Sequence, residues 1–83
     1  MTFELFSRVA LKDDVRELRL CKGDVATIVE IHDVGAGRER GYTLEVFNAI
    51  GETIGVITVR EAQIERLTEG EVLHVRRFND LAA

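Results

Sequence analysis

Cysteine, proline and tryptophan are scarce or missing in this sequence of 83 residues, which has one Cys and neither of the other two. The single thiol, Cys21, cannot form an internal disulfide, and small secreted domains usually depend on several such bridges. The sequence therefore predicts a reducing compartment, the cytoplasm. The N-terminal residues lack the basic and then apolar segments of a signal peptide. No run of about 18 apolar residues occurs, so no membrane-spanning helix is expected.

Residues that commonly carry chemistry are also sparse. Structural zinc sites take four ligands, usually in close pairs, and the sequence has no C-x-x-C or H-x-x-x-H pair. Cys21 and His32 are candidates for a nucleophile and its base, but no cysteine-centred signature surrounds them. The glycines of segment 35–41 join two predicted strands rather than a strand and a helix, which favours a flexible loop over a dinucleotide site. The sequence predicts no enzyme, no metal and no cofactor.

Charge weighs against general nucleic-acid binding. The net charge is −4, with 15 acidic and 11 basic side chains, whereas non-specific affinity for nucleic acid comes from neutralised phosphates. A local basic patch stays open as the alternative function, because loop tips and strand ends of a small barrel can converge. The residues that would form this patch are Arg38, Arg40, Arg76 and Arg77.

Short apolar runs separated by glycine and charge predict a mainly β domain. The chain has room for one domain, residues 1–83, with an ordered core over about 6–77. Strands are expected at 8–11, 24–32, 42–47, 53–59 and 72–77, with a short helical turn within 60–67 and a frayed tail over 78–83. This order of five short strands, with a helical turn before the last, is that of an SH3-like barrel.

Two local features refine this prediction. In strand 24–32, Ile28 interrupts the face formed by Val25, Val29 and Ile31, which indicates either a β-bulge or a strand covered on both faces. Gly23 and Asp24 precede this strand and are expected to form the turn into it, with Gly23 in a conformation that is costly for other residues.

Three segments carry a resemblance to a known family. They are 22–30 (KGDVATIVE), 41–47 (GYTLEVF) and 51–54 (GETI). Together they resemble a family of small bacterial proteins catalogued only as a domain of unknown function, some of them on mobile gene cassettes. The resemblance covers most of residues 6–77 and implies an SH3-like barrel without catalytic residues. The sequence departs from the family pattern at Ala26, at Val46-Phe47 and in a first loop without proline.

The segment 53–59 is apolar on both faces of its strand. Strict alternation places Ile54, Val56 and Thr58 on one face and Ile57 and Val59 on the other. Only one face can point inward, and an exposed apolar face usually marks an interface. The interface candidates are therefore Ile54, Val56 and Ile57. The alternative is that the first loop covers this face with Val15, Leu18 and Leu20.

These patterns favour a protein-interaction module, either a homodimer or a protein with a separately encoded partner. A nucleic-acid-binding barrel is the second hypothesis.

Overall fold

The computed structural model describes residues 3–78. Its regular elements are five short strands and two single-turn 3₁₀ helices. The strands are β1 (Arg8–Leu11), β2 (Val25–His32), β3 (Gly41–Phe47), β4 (Thr53–Arg60) and β5 (Ile64–Arg66), and the 3₁₀ helices are Arg16–Leu18 and Glu61–Gln63. No helix among the described residues is long and apolar enough to cross a membrane.

All five strands are antiparallel and belong to one sheet in the order β4-β3-β2-β1-β5. The middle strands form a meander, and the last strand returns to pair with the first, Ile64 opposite Leu11 and Arg66 opposite Val9. This arrangement confirms the mainly β fold, the five strands and the 3₁₀ turn before the last strand. The hydrogen-bonded sheet is open, with β4 and β5 as its two edges.

The core follows from strand alternation and is fully apolar. In β3, Tyr42, Leu44 and Val46 point inward while the residues between them are half-buried. Phe3 packs edge-on against Tyr42, with ring centroids 5.6 Å apart, and lies before the predicted start of the core at residue 6. The other buried members are Val9, Ala10, Leu11, Leu20, Ala26, Ile28, Ile57, Val59 and Ile64.

A β-bulge explains the broken alternation of β2. The register against β3 shifts between Ile28 and Glu30, so that Ile28 lies opposite Leu44 and Glu30 opposite Thr43. Val29 is the extra residue, and the shift brings Ile31 to the core side together with the fully buried Ile28. The bulge is one of the two possibilities that the sequence left open, and the half-buried Val25 and Thr27 show that the other face is partly covered as well.

The prediction of a last strand at 72–77 is wrong. The fifth strand is β5, at 64–66, within the segment expected to be helical. Two of its three residues are charged, so its composition carries little β preference. Its position is set by tertiary contacts, since Ile64 is 3% exposed and fills the core beside Leu11. The predicted fraying of 78–83 falls almost wholly outside the described residues. Phe78, the one described member, packs against the core.

The loop between β1 and β2 is more ordered than its sequence suggests. Val15 and Leu20 exchange backbone hydrogen bonds of 2.8 and 3.0 Å, which close a small turn around the first 3₁₀ helix. Asp24 then accepts a hydrogen bond from the Cys21 amide through its Oδ2 (2.8 Å), and Gly23 adopts φ +92°. The predicted turn into β2 is confirmed, including the positive φ of Gly23.

Candidate interaction surface

The edge strand β4 presents two different faces. Ile57 and Val59 are each 6% exposed and belong to the core, whereas Val56 is 59% exposed. On one side β4 pairs with β3 over its whole length. On the other side it pairs with no strand of residues 3–78. β4 therefore offers a free backbone edge beside an exposed aliphatic side chain.

The three interface candidates do not form one patch. The β3–β4 register shifts between Val46 and Phe47, which lie opposite Gly55 and Thr53. Ile54 falls at this irregularity, leaves the alternation and packs against the core instead of sharing the face of Val56. The alternation predicted one shared face for Ile54 and Val56. The structure instead places Ile54 against the core, and Ile57 also lies in the core. Val56 is the candidate that the structure leaves at the surface.

A groove of about 400 Å³ lies between the β1–β2 loop and β4. Val15 and Leu18 line the loop side, and Leu18 is 43% exposed. The β4 side and the floor are formed by residues 56–59 together with Gln63. The loop thus lies beside β4, as the alternative in the sequence analysis proposed, but it leaves Val56 and Leu18 accessible. Of the three loop residues expected to cover β4, Leu20 is instead in the core.

The rim of this groove is acidic. Asp14 and Glu17 both lie on its loop side and are exposed. The Asp14 carboxylate already has partners within the chain. Its Oδ1 accepts a hydrogen bond from the Lys22 amide (2.8 Å), and its Oδ2 lies 4.0 Å from Nη2 of Arg16. The groove therefore combines the exposed aliphatic side chains of Leu18 and Val56 with a mostly polar lining that includes two carboxylates.

The outer face of the β2–β3–β4 sheet carries a run of polar contacts. Nε2 of His32 lies 2.7 Å from Oγ1 of Thr43, which lies 3.3 Å from Oγ1 of Thr58. Glu45 accepts a hydrogen bond from Thr53. Glu30, across the strand from Thr43, lies 3.8 Å from His32. These side chains therefore have partners on one another across the outer face of the sheet.

The four arginines of the alternative hypothesis lie at opposite ends of β2. Arg38 and Arg40 belong to the loop after His32, and Arg40 pairs with Asp33 at 3.3 Å. Arg76 instead pairs with Asp24, which immediately precedes β2. Eight strand residues span about 25 Å. Arg77 follows Arg76 in the chain, so the structure does not bring these residues together into one patch.

The same strand separates Cys21 from His32, which lie at its two ends. The histidine side chain is hydrogen-bonded to Thr43 rather than to a thiol. Among residues 3–78, no three His, Cys, Asp or Glu side chains cluster in a way that could hold a metal ion.

Residues 67–78, here called the arm, follow β5 and carry three exposed aliphatic side chains. Val72 is 90% exposed, Leu73 59% and Val75 86%. The arm is fixed near its end by Arg76, whose Nε donates to Oδ1 of Asp24 (2.9 Å) and whose Nη2 donates to Oδ2. The sequence analysis missed this ion pair, because nothing in the local pattern links residues so far apart.

Comparison with known proteins identifies one family. The family model described as "Domain of unknown function (DUF4926)" matches residues 5–66, which include all five strands and end where the arm begins. No curated protein and no solved structure matches the chain. The match covers about three quarters of the sequence and confirms the resemblance drawn from segments 22–30, 41–47 and 51–54. The chain therefore belongs to this family of domains of unknown function.

Proposed function

We propose that the protein is a protein-interaction module that self-associates through the edge of β4 and the groove beside it. The observation that carries this proposal is the coincidence of three features at one place. These are a long edge strand, the exposed Val56, and a groove with aliphatic walls formed by the β1–β2 loop.

The backbone of β4 is suited to receive another strand. A sheet edge exposes a row of N–H and C=O groups that can pair with an added strand. Binding by strand addition obtains its affinity from these backbone hydrogen bonds and its specificity from pockets for alternate side chains. Here the alternate side chains of an added strand would meet the groove next to β4. This geometry supports binding of an extended protein segment.

The size of the surface predicts moderate affinity. Full burial of one valine or leucine side chain contributes about 1.5–3 kcal/mol, and Val56 and Leu18 are the exposed aliphatic residues of the groove. Association costs about 4–15 kcal/mol in lost translational and rotational freedom. Backbone pairing must supply the difference, so we expect a dissociation constant in the micromolar range rather than the nanomolar range.

Sedimentation equilibrium tests this proposal. At about 100 µM the protein should show twice the monomer mass of 9.3 kDa. Val56→Glu should shift it to a folded monomer, because the carboxylate would be buried in the interface without a partner. Val34→Glu is the matched control, since Val34 is 56% exposed but lies in the β2–β3 loop, and it should leave the dimer intact.

Two results would contradict the proposal. A wild-type monomer at this concentration would exclude self-association. If Val34→Glu weakened the dimer as much as Val56→Glu does, the interface would lie away from β4.

A further inference from the structure

We infer that the segment received by the β4 groove is residues 72–75 of a second copy, and that two copies exchange this segment reciprocally. The inference rests on the proposed function and names its partner. It combines three observations: the exposure of the segment, its chemistry and the place where the arm is attached.

The first observation is that segment 72–75 has the composition of a strand but no strand partner. It contains two valines and a leucine, residues typical of a strand that packs on an apolar surface. Within residues 3–78 it takes part in no β-pairing, and its three aliphatic side chains are exposed. The same chain therefore presents an unpaired strand-forming segment and an unpaired strand edge.

The second observation is complementary chemistry. The groove has aliphatic walls at Leu18 and Val56 and an exposed carboxylate at Glu17. Segment 72–75 carries three aliphatic side chains beside His74, with the exposed Glu71 before it and Arg76 and the exposed Arg77 after it. The aliphatic side chains of the segment match Leu18 and Val56 of the groove, and Arg77 on its C-terminal side can lie against Glu17 while Glu71 lies away from it.

The third observation is the attachment of the arm beside the groove. Nη2 of Arg76 donates to the carbonyl oxygen of Arg19 (3.0 Å), and the adjacent residue Leu18 lines the groove. Segment 72–75 thus leaves the body next to the loop that forms one groove wall. A two-fold axis near this loop would direct each arm to the groove of the other copy. Reciprocal exchange closes the assembly at two chains, whereas one-way docking would continue into a larger ring or a filament.

Disulfide trapping between separately purified variants tests which segment occupies the groove. Both carry Cys21→Ser, which removes the native thiol; one also carries Val56→Cys and the other Leu73→Cys. Mixed and oxidised, they should form a covalent heterodimer in clear excess over either variant alone. The control replaces Val56→Cys with Val34→Cys, which has similar exposure and lies outside the groove.

The paired substitution Val72→Asp and Val75→Asp provides a second test. Both side chains are almost fully exposed, so the melting temperature should stay close to that of the wild type. The dimer dissociation constant should rise at least about tenfold, because two carboxylates would replace aliphatic contacts and lie close to Asp14 and Glu17. Val34→Asp should leave the constant unchanged.

The outcomes separate the two proposals. If the wild type dimerises, Val56→Glu abolishes the dimer and the arm variants do not, the arm is not the occupant but the β4 module stands. If Val56→Cys and Leu73→Cys cross-link no better than the Val34→Cys control, the same conclusion holds. A monomeric wild type would overturn both.

Discussion

The two edges of the sheet differ in length and in chemistry. β4 has eight residues and exposes Val56 beside a groove. β5 has three residues, of which Glu65 and Arg66 are exposed and charged. A 3₁₀ turn precedes β5 directly, and residues 69–70 form another turn soon after it.

This difference bears on which edge is the better candidate for the proposed contact. Natural sheets protect an edge by making its strand short, by placing charges on it or by covering it. β5 uses the first two devices. β4 is not short, and most of its length carries no charge. The β1–β2 loop lies beside it but does not close the groove. This contrast supports placing the proposed interface at β4 and not at β5.

The largest effect is expected from a charge on the inward face of β4. Ile57→Glu would bury a carboxylate in a core whose residues are all apolar, at a cost of several kcal/mol. We expect this variant to be unfolded at room temperature by circular dichroism, whereas the neighbouring Val56→Glu should melt within a few degrees of the wild type. Two variants that unfolded alike would show that Val56 is also needed for the fold.

A smaller effect is expected at the turn into β2, which belongs to neither edge strand. Gly23 has φ +92° and open space around it, so a side chain there is opposed by backbone strain alone. Gly23→Val should lower the free energy of unfolding by roughly 1–3 kcal/mol, measured by urea denaturation. Gly70→Val is the control, because Gly70 also has open space but no positive φ. Association of the folded Gly23→Val protein should be unchanged, since the turn lies outside the β4 groove. An equal loss at both glycines would remove strain as the explanation.

The smallest effect is expected at the protected edge. Glu65→Val removes one charge from β5 but leaves the strand three residues long. We expect the dissociation constant of the dimer to change by less than about twofold, as measured by sedimentation. Tighter or larger assemblies from this variant would show that the charge, rather than the short length, is what keeps β5 free of partners.

Local pattern predicted most of the fold. The first four strands lie within one residue of their predicted limits, because β-branched runs bounded by turns identify them. The bulge at Val29 was one of two stated alternatives, since a broken alternation does not show by itself which cause applies. β5 could not be predicted in this way, because its position depends on Ile64 entering a core formed by distant residues.

The candidate site was predictable only in outline. The apolar character of residues 53–59 identified β4 as the candidate strand. The sequence does not show the register shift opposite Phe47, which makes Ile54 pack on the core. The packing of Phe3 against the core residue Tyr42 and the ion pair between Asp24 and Arg76 both join residues that are far apart in sequence. They therefore depend on the folded backbone. The groove itself joins the β1–β2 loop to β4, two segments that sequence alone does not place together.

The return of β5 to β1 has a consequence for the order of folding. Neighbours in the β2–β3–β4 meander are close in sequence, whereas Val9 pairs with Arg66, 57 positions away (66 − 9). Bringing distant segments together costs loop-closure entropy before any contact is gained, and folding slows as such contacts become more important. We therefore expect the meander to form first and the β1–β5 pairing to limit the folding rate. The arm, whose Arg76 joins Asp24 across 52 positions, would be attached in the same late step.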